Sequence, residues 1–404
     1  MNRLVRAYVP RPKTSNIVKF TLSFSCCALL WFVVVTTFSC SNSSIDDFIT
    51  SVCQSYNAGE LEGNLCHFLC SEDISHNAHC HTQHRGKDVV FSAHWNATTV
   101  IVKTKKSFLS SYDHVYEEEN GKRRYPSTPE FLAIVNDNLN YALHKNVVLT
   151  EDIFTNGINP TPAGMNTLFA LVQQNEYLFT WALQDTNTVP KIVGVCGHAY
   201  AVEFLKPLKT SVPFSSRAKI AHNLLMTLAS LSTTADEDIH QCDMKMEHFG
   251  IDDAGNVKIT DLDAVGLQST LQRNIAATSS CSSDKDCDYF DCSGRCTTTR
   301  CDPLLLDSNL QRVCKNIFMG KLLGRFSGLL AGAPDSIVAE LTSALQMCVG
   351  KPGVQVAANE TAATLKKLQE LLQGAMTQNF LITFVIIGFG RDRNTSFFLI
   401  TACT

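Results

Sequence analysis

The hydrophobic pattern of the chain begins with one long block. From Phe20 to Phe38, "FTLSFSCCALLWFVVVTTF" runs 19 residues without a charge, close to the roughly 20 that cross a bilayer as a helix. Arg3, Arg6, Arg11, Lys13 and Lys19 precede it, and Asp46 and Asp47 follow. Basic flanks stay cytosolic, so the pattern predicts a cytosolic tail (1–19), an uncleaved type II signal anchor (20–38) and a lumenal body. A cleaved signal is the alternative. It ordinarily has a shorter apolar core of ~7–15 residues and small residues at the cut, whereas here the run is longer and ends in Phe38-Ser39-Cys40.

Beyond the block the periodicity changes repeatedly. Ser41 to Arg85 is rich in Cys and His and poor in apolar runs, as a small disulfide-tied segment (39–85) would be. "DVVFSAHW" and "TTVIVKT" are β-branched runs around Asn96-Ala97 and read as a hairpin. Ser107 to Asn166 reads as an irregular and helical insertion, with "EEENGKRRYPSTP" as a solvated loop and "PEFLAIVNDNLNYALHK" as a helix. "TLFALVQQNEYLFTWAL", Thr167 to Leu183, reads as one amphipathic helix. "PKIVGVCG" and "AYAVEFL" are a second strand pair, and "SSRAKIAHNLLMTLASLS" opens a helical half. That half contains a further hairpin and ends in helices at Asn309–Met319, Ser336–Met347 and Ala362–Met376. Strands first and helices second predict a bilobal α+β protein. The late apolar stretch "NFLITFVIIGFG" is too short to span a membrane.

The net charge of −4, without any basic stripe, gives no footprint for nucleic acid. The 17 cysteines matter more. In a reducing compartment such density points to metal; in an oxidising lumen it points to disulfides. The predicted anchor favours the lumen, as do the sequons at Asn42, Asn96, Asn359 and Asn394. His67, His76, His79, His81 and His84 accompany Cys53, Cys66, Cys70 and Cys80, but Cys66-x3-Cys70 with Cys80 fits no common zinc finger. Asp284, Asp286 and Asp288 alternate as an EF-hand loop begins, yet Tyr289 and Arg295 stand where its Gly and terminal Glu belong.

The stretch "IHQCDMKMEHFGIDDAGNVKITDLDAV" carries the candidate chemistry. Asp243 is followed by Lys245, and an apolar run then leads to Asp261, eighteen residues on. The order resembles a protein kinase, in which H-R-D-L-x-x-x-N is followed by a hairpin and D-F-G. A closer resemblance is to the divergent protein kinase domain family of the secretory pathway (DIPK), cysteine-rich type II proteins of the endoplasmic reticulum. It is carried by "PKIVGVCGHAYAVEFL", "CDMKMEHFGIDDAGNVKITDLDAV" and "CSSDKDCDYFDCSGRC…LQRVCKNIF", across roughly Cys53 to Gln373.

That resemblance implies an α+β, bilobal, disulfide-rich, lumenal protein-kinase-like fold preceded by one transmembrane helix. Its N-lobe would span 86–205 with the insertion at about 107–166, and its C-lobe 206–374 with a Cys-rich segment at 281–314. A tail of unknown role, 375–404, would follow. It implies that Asp243 orients the acceptor hydroxyl, that Lys103 of "TTVIVK" binds the ATP phosphates with Glu176 as the ion-pair partner that fixes it in the ATP site, and that Asp261 and His248 hold Mg²⁺ or Mn²⁺. The implied partners are a nucleotide, an unidentified lumenal protein or glycan substrate, and the bilayer through 20–38; nucleic acid is not among them. The implied location is the endoplasmic reticulum membrane, single-pass type II.

The departures are equally legible. Only Arg85-Gly86-Lys87 stands where a Gly-rich loop belongs, and His248 replaces the usual Asn. Imidazole suits Mg²⁺ poorly. Asp263 replaces the Gly of D-F-G, no A-P-E follows, and the Cys281–Cys314 segment takes the place of the activation segment. The EF-hand that some relatives insert before helix C has no counterpart in 107–166.

Each site residue also has an ordinary reading: Lys103 as a strand-edge lysine, Asp243 and Asp261 as turn residues, Glu176 as a solvated helix residue with Glu130 its rival, and His248 as a packed ring. Cys242 beside Asp243 reads as a structural disulfide or a buried thiol. The non-catalytic alternative for the whole chain is a pseudokinase, or a disulfide-stabilised interaction scaffold.

Overall fold

The computed structural model describes residues 42–71, 74, 78–83, 89–105, 108–143, 150–233, 237–278, 280–322, 325–350 and 358–387. The signal-anchor segment 20–38 and the tail beyond 387 lie outside them. Among the described residues no helix is long and apolar enough to cross a membrane.

The chain divides into two compact units. The first comprises the described residues up to His114 together with Asn156–Ala170 and Gly194–Ala201. Its sheet has five strands in the order His79–Gln83, Val89–Trp95, Thr98–Thr104, Ala199–Glu203, Ile192–Cys196. The expected hairpin pairs Val89↔Thr104 through Trp95↔Thr98. Its turn residues Asn96 and Ala97 both have positive φ, 48° and 62°, the two-residue turn whose twist matches the strands. The Cys-rich stretch builds into this unit. In the helix Asn42–Asn57, Ile45, Phe48 and Val52 recur at helical spacing and are buried; Phe48 meets Phe91 of the sheet edge-on at 6.1 Å. Cys53 is bonded to Cys70 and Cys66 to Cys196, and Cys80 is also disulfide-bonded. These cysteines are therefore cross-links, not zinc ligands. Gly63 has φ 143°, and a Cβ there would lie 2.1 Å from the Val195 carbonyl oxygen. Only glycine permits that approach, beside the bond from Leu65 N–H to the same oxygen.

The second unit comprises the described residues of Val115–Thr155, Leu171–Val193 and from Val202 onward. Its helices Phe214–Thr233 and Ala358–Ile387 pack on each other, and Asp335–Val349 packs on the latter. The chain between the first of these and the Cys-rich segment contributes to two small antiparallel sheets. One pairs Phe249–Ile251 with Val257–Ile259 and with Lys206–Pro207; the other pairs Ile239–Gln241 with Val265–Leu267. Lys258 is buried in the first sheet, with Glu203 at 2.6 Å and Asp252 at 3.5 Å. The Cys-rich segment is closed by Cys281–Cys296 and Cys287–Cys301, tied back by Cys242–Cys292, and followed by Cys314–Cys348.

Two local expectations need correction. "TLFALVQQNEYLFTWAL" is not one helix but the end of Pro162–Val172 and the whole of Asn175–Leu183. The break falls at the polar Gln173-Gln174-Asn175, where Gln174 is extended (φ −99°, ψ 113°). The "solvated loop" contains an exposed hairpin, Glu117–Glu119 with Lys122–Arg124. Asn120 and Gly121 take positive φ at its turn, and all three cross-strand pairs are of opposite charge, Glu117↔Arg124, Glu118↔Arg123 and Glu119↔Lys122.

Candidate functional site

The two small sheets of the second unit determine where Asp243 and Asp261 stand. Asp243 follows the strand Ile239–Gln241, while Asp261 lies between Val257–Ile259 and Val265–Leu267. Pairing of Gln241 with Val265 brings both ends of the motif together. Gln241 then bridges them with its amide: Nε2 donates to the Asp261 carbonyl at 2.7 Å, and Oε1 accepts from the Asp243 N–H at 3.3 Å.

His248 completes the group. The turn Met246–His248 delivers its ring between the carboxylates, with Nδ1 2.9 Å from the Asp243 carbonyl and 3.6 Å from Asp243 Oδ2. Nε2 lies 3.4 Å from Asp261 Oδ2. A carbonyl only accepts, so Nδ1 is the donor to it, and in the neutral ring Nε2 presents its lone pair towards Asp261. Lone pair and carboxylate facing one another is an arrangement that a cation or a proton stabilises. A histidine anchored through its other nitrogen to a backbone carbonyl is also how metal-binding rings are usually held. One carboxylate and one imidazole nitrogen, Asp261 Oδ2 and His248 Nε2, face each other and fit two positions of a divalent cation's shell, with Asp261 substantially exposed to supply the rest from solvent or a ligand. The nitrogen favours Mn²⁺ over Mg²⁺.

Lys245 lies 2.9 Å from the Asp243 carboxylate, with half its side chain exposed, and that hydrogen bond raises its pKa. Asp261 also turns inward, its Oδ1 accepting from Asp263 N–H at 3.2 Å.

Behind the site stands Arg312, 1% exposed. Its guanidinium donates to the Gln241 carbonyl (3.1 Å), Asn309 Oδ1 (2.8 Å), His240 Nδ1 (3.0 Å) and Asp307 Oδ1 (2.5 Å). Asn309 accepts from the Gln241 N–H at 2.9 Å as well. On the other flank, Asp291 accepts from Met244 N–H and donates its own N–H to the Cys242 carbonyl, beside the Cys242–Cys292 bond. The backbone of the Asp243 turn is thus fixed from both sides.

The structure brings Asp243, His248 and Asp261 together within the second unit. Glu176 is half-buried in the first turn of Asn175–Leu183. Its neighbour Asn175 donates to the carbonyls of Leu262, Asp263 and Val265 at 3.0–3.2 Å, so this helix start is bonded to the Asp261 turn. Lys103 is half-buried in the first unit, on the strand face opposite Val102. Glu130 is an exposed N-terminal helix residue whose carboxylate is engaged by Ser127 N–H and Oγ, which lowers its pKa.

Asp286 accepts from Ser282 and Ser283, Asp284 from Cys296 N–H and Asp288 from Gly294 N–H. They tie down the backbone of the Cys-rich segment. Reading the sequence missed Gln241, Asn175 and Arg312. The signals were there: polar "QQN" inside an apolar run, and an arginine within "LQRVCKNIF".

Two family models match this chain. Residues 168–351 match the one described as the protein-kinase domain of FAM69, which contains Glu176, Asp243, His248 and Asp261. Residues 14–153 match the one described as N-terminal cysteine-rich ER, FAM69. From these matches the chain belongs to the FAM69 family, whose divergent kinase domain is preceded by a cysteine-rich N-terminal region.

Proposed function

We propose that the chain is an ATP-dependent phosphotransferase of the endoplasmic reticulum lumen, held in the membrane by residues 20–38. The reading rests on one observation above all: Asp243 and Asp261 flank the His248 ring at 3.6 and 3.4 Å, with Gln241 bonded to the backbone of both. Asp261 and His248 are the residues that would hold a divalent cation, which supplies positive charge against the nucleotide phosphates. Asp243 orients the acceptor hydroxyl, a serine-type or sugar alcohol, and takes its proton. Lys245 stabilises the Asp243 carboxylate and offers a cation to the transferred group. Lys103 binds the phosphates and Glu176 restrains that lysine. A lumenal body accords with the cross-linked cysteines and with a sequon whose Asn96 sits at an exposed hairpin tip.

Thermal-shift titration of the full chain with ATP and either Mg²⁺ or Mn²⁺ tests the reading. ATP with metal raises Tm in the wild type, and Asp261→Ala and Lys103→Ala abolish the rise. Asp243→Ala preserves it while removing phosphate transfer, because its role is in orienting the acceptor. His248→Asn moves the preference towards Mg²⁺. A wild-type chain unmoved by millimolar ATP with both metals would refute the enzyme reading and leave a scaffold.

A further inference from the structure

The Cys-rich segment spends a large apolar side chain where folding gains little from it. Tyr289 and Cys292 exchange both backbone hydrogen bonds, at 2.9 and 3.0 Å, so Phe290 and Asp291 form the tip of a tight turn. Phe290, the first tip residue, has φ 53°. Such a position ordinarily takes Gly, Asn or Asp, and a bulky residue there is an outlier. Its ring is also 61% exposed, meeting only the edge of the Tyr289 ring at 5.0 Å between centroids. A strained backbone under an exposed aromatic points to use rather than to packing, since residues of this kind gather at ligand clamps.

The turn's location says what use. Asp291 N–H donates to the Cys242 carbonyl at 2.6 Å, and the Asp291 carboxylate accepts from Met244 N–H at 2.8 Å. Cys292 is disulfide-bonded to Cys242. These links hold the Phe290 tip against the two residues that flank Asp243. The field there is negative: Asp243, Glu247 and Asp291 all act on the single Lys245 ammonium, three carboxylates to one cation. Asp288, two residues before Phe290, is exposed as well.

We propose that Phe290 recognises the acceptor, and that the acceptor is a peptide whose arginine stacks its guanidinium on the Phe290 ring. The inference rests on the phosphotransfer reading and names its substrate class. A guanidinium is planar, weakly hydrated and suited to aromatic faces, and a cation over a ring is attracted within about 6 Å. The surrounding carboxylates add to that attraction. An acidic peptide would be repelled by them, and a neutral sugar would gain nothing from their charge. Three extended residues span about 10 Å, so the arginine lies within about three residues of the acceptor hydroxyl.

The test measures binding of fluorescein-labelled peptides to the full chain by anisotropy, without nucleotide. The peptides differ in one residue, arginine, citrulline or glutamate, scanned through the three positions on either side of a central serine. At its best position arginine binds about fivefold tighter than citrulline, the size of an exposed cation–π contact, and glutamate binds weakest. Phe290→Asn, which suits the positive φ, removes the arginine preference without lowering Tm. Phe290→Trp keeps it. Methyl β-D-glucoside does not displace the arginine peptide. Equal binding of the arginine and citrulline peptides to the wild type overturns the proposal, as does an arginine preference that survives Phe290→Asn. A lower Tm in that variant would make the ring structural and overturn it too. Displacement by the glucoside, abolished in Phe290→Asn, would make the acceptor a sugar instead. The phosphotransfer reading is judged separately, by the thermal shift of the wild type with ATP and metal.

Discussion

Arg312→Met removes the cation that holds the candidate catalytic turn from behind while keeping most of the apolar stem. Five acceptors lose their donor at once: the Gln241 carbonyl, Asn309 Oδ1, His240 Nδ1, and both the carbonyl and Oδ1 of Asp307. Asp307 is left as a mostly buried carboxylate without its ion pair. Breaking a buried pair on one side costs roughly 3–5 kcal/mol, a large share of the ~5–15 kcal/mol that stabilises a typical domain. The half-exposed Lys245–Asp243 pair is the natural control, since Lys245→Ala should cost under about 1 kcal/mol. Guanidinium unfolding, followed by the fluorescence of Trp181 in the helix Asn175–Leu183, measures both. The double variant Arg312→Met, Asp307→Leu recovers more than half of the single variant's loss, because an apolar pair leaves no orphan charge. Two results would refute the reasoning: Arg312→Met within about 1 kcal/mol of wild type, or a double variant no more stable than the single. Either would mean that the guanidinium is not what anchors the Asp243 turn.

Other perturbations give equally definite expectations. Stability falls as pH drops from about 6.5 towards 4, by roughly 2–3 kcal/mol, because His240 is held neutral when folded (pKa about 4) and gains a proton more readily when unfolded. His240→Phe flattens that slope, and acid titration of both proteins checks it. Replacing Cys66 and Cys196 by serine opens a separation of 130 residues and costs about 5 kcal/mol in chain-entropy terms. The Cys287/Cys301 pair, separated by 14, costs about 3 kcal/mol on the same scale, so denaturation midpoints should rank the two. Gly63→Ala destabilises the first unit, since its Cβ would collide with the Val195 carbonyl, and hydrogen exchange at Leu65 N–H reads the loss. Asn96→Gln removes one glycan from the chain expressed in secretory cells, seen as a smaller endoglycosidase shift.

The elements legible in the sequence were those in which local chemistry and tertiary context agree. The hairpin around Asn96-Ala97 has β-branched strands and a turn that tolerates positive φ. The eighteen-residue spacing of Asp243 and Asp261 needs only a short hairpin to bring its ends together, and that hairpin is present. The helix break at Gln173–Gln174 was missed because three polar residues inside an apolar run look tolerable on one helical face; their cause is distant, at the carbonyls that Asn175 bonds. The charged hairpin was missed for the opposite reason. Its strands bury nothing, so hydrophobic alternation carried no signal, whereas Asn120-Gly121 and the opposed charges did. Cysteine pairing was illegible: six cysteines allow 15 connectivities, and two of the six in the Cys-rich segment pair outside it, with Cys242 and Cys348.

The sulfur network limits how such a protein can be governed. Kinases commonly toggle through a segment that is loose in one state and ordered, by a phosphate, in the other. Here the Cys-rich segment that follows the Asp261 turn is stitched internally twice, and once more to the turn carrying Asp243. Cross-links delete the loose state, so a kinase or phosphatase has no second conformation to select. On the phosphotransfer reading proposed above, what could still act on this segment is chemistry that makes or breaks its sulfur bonds.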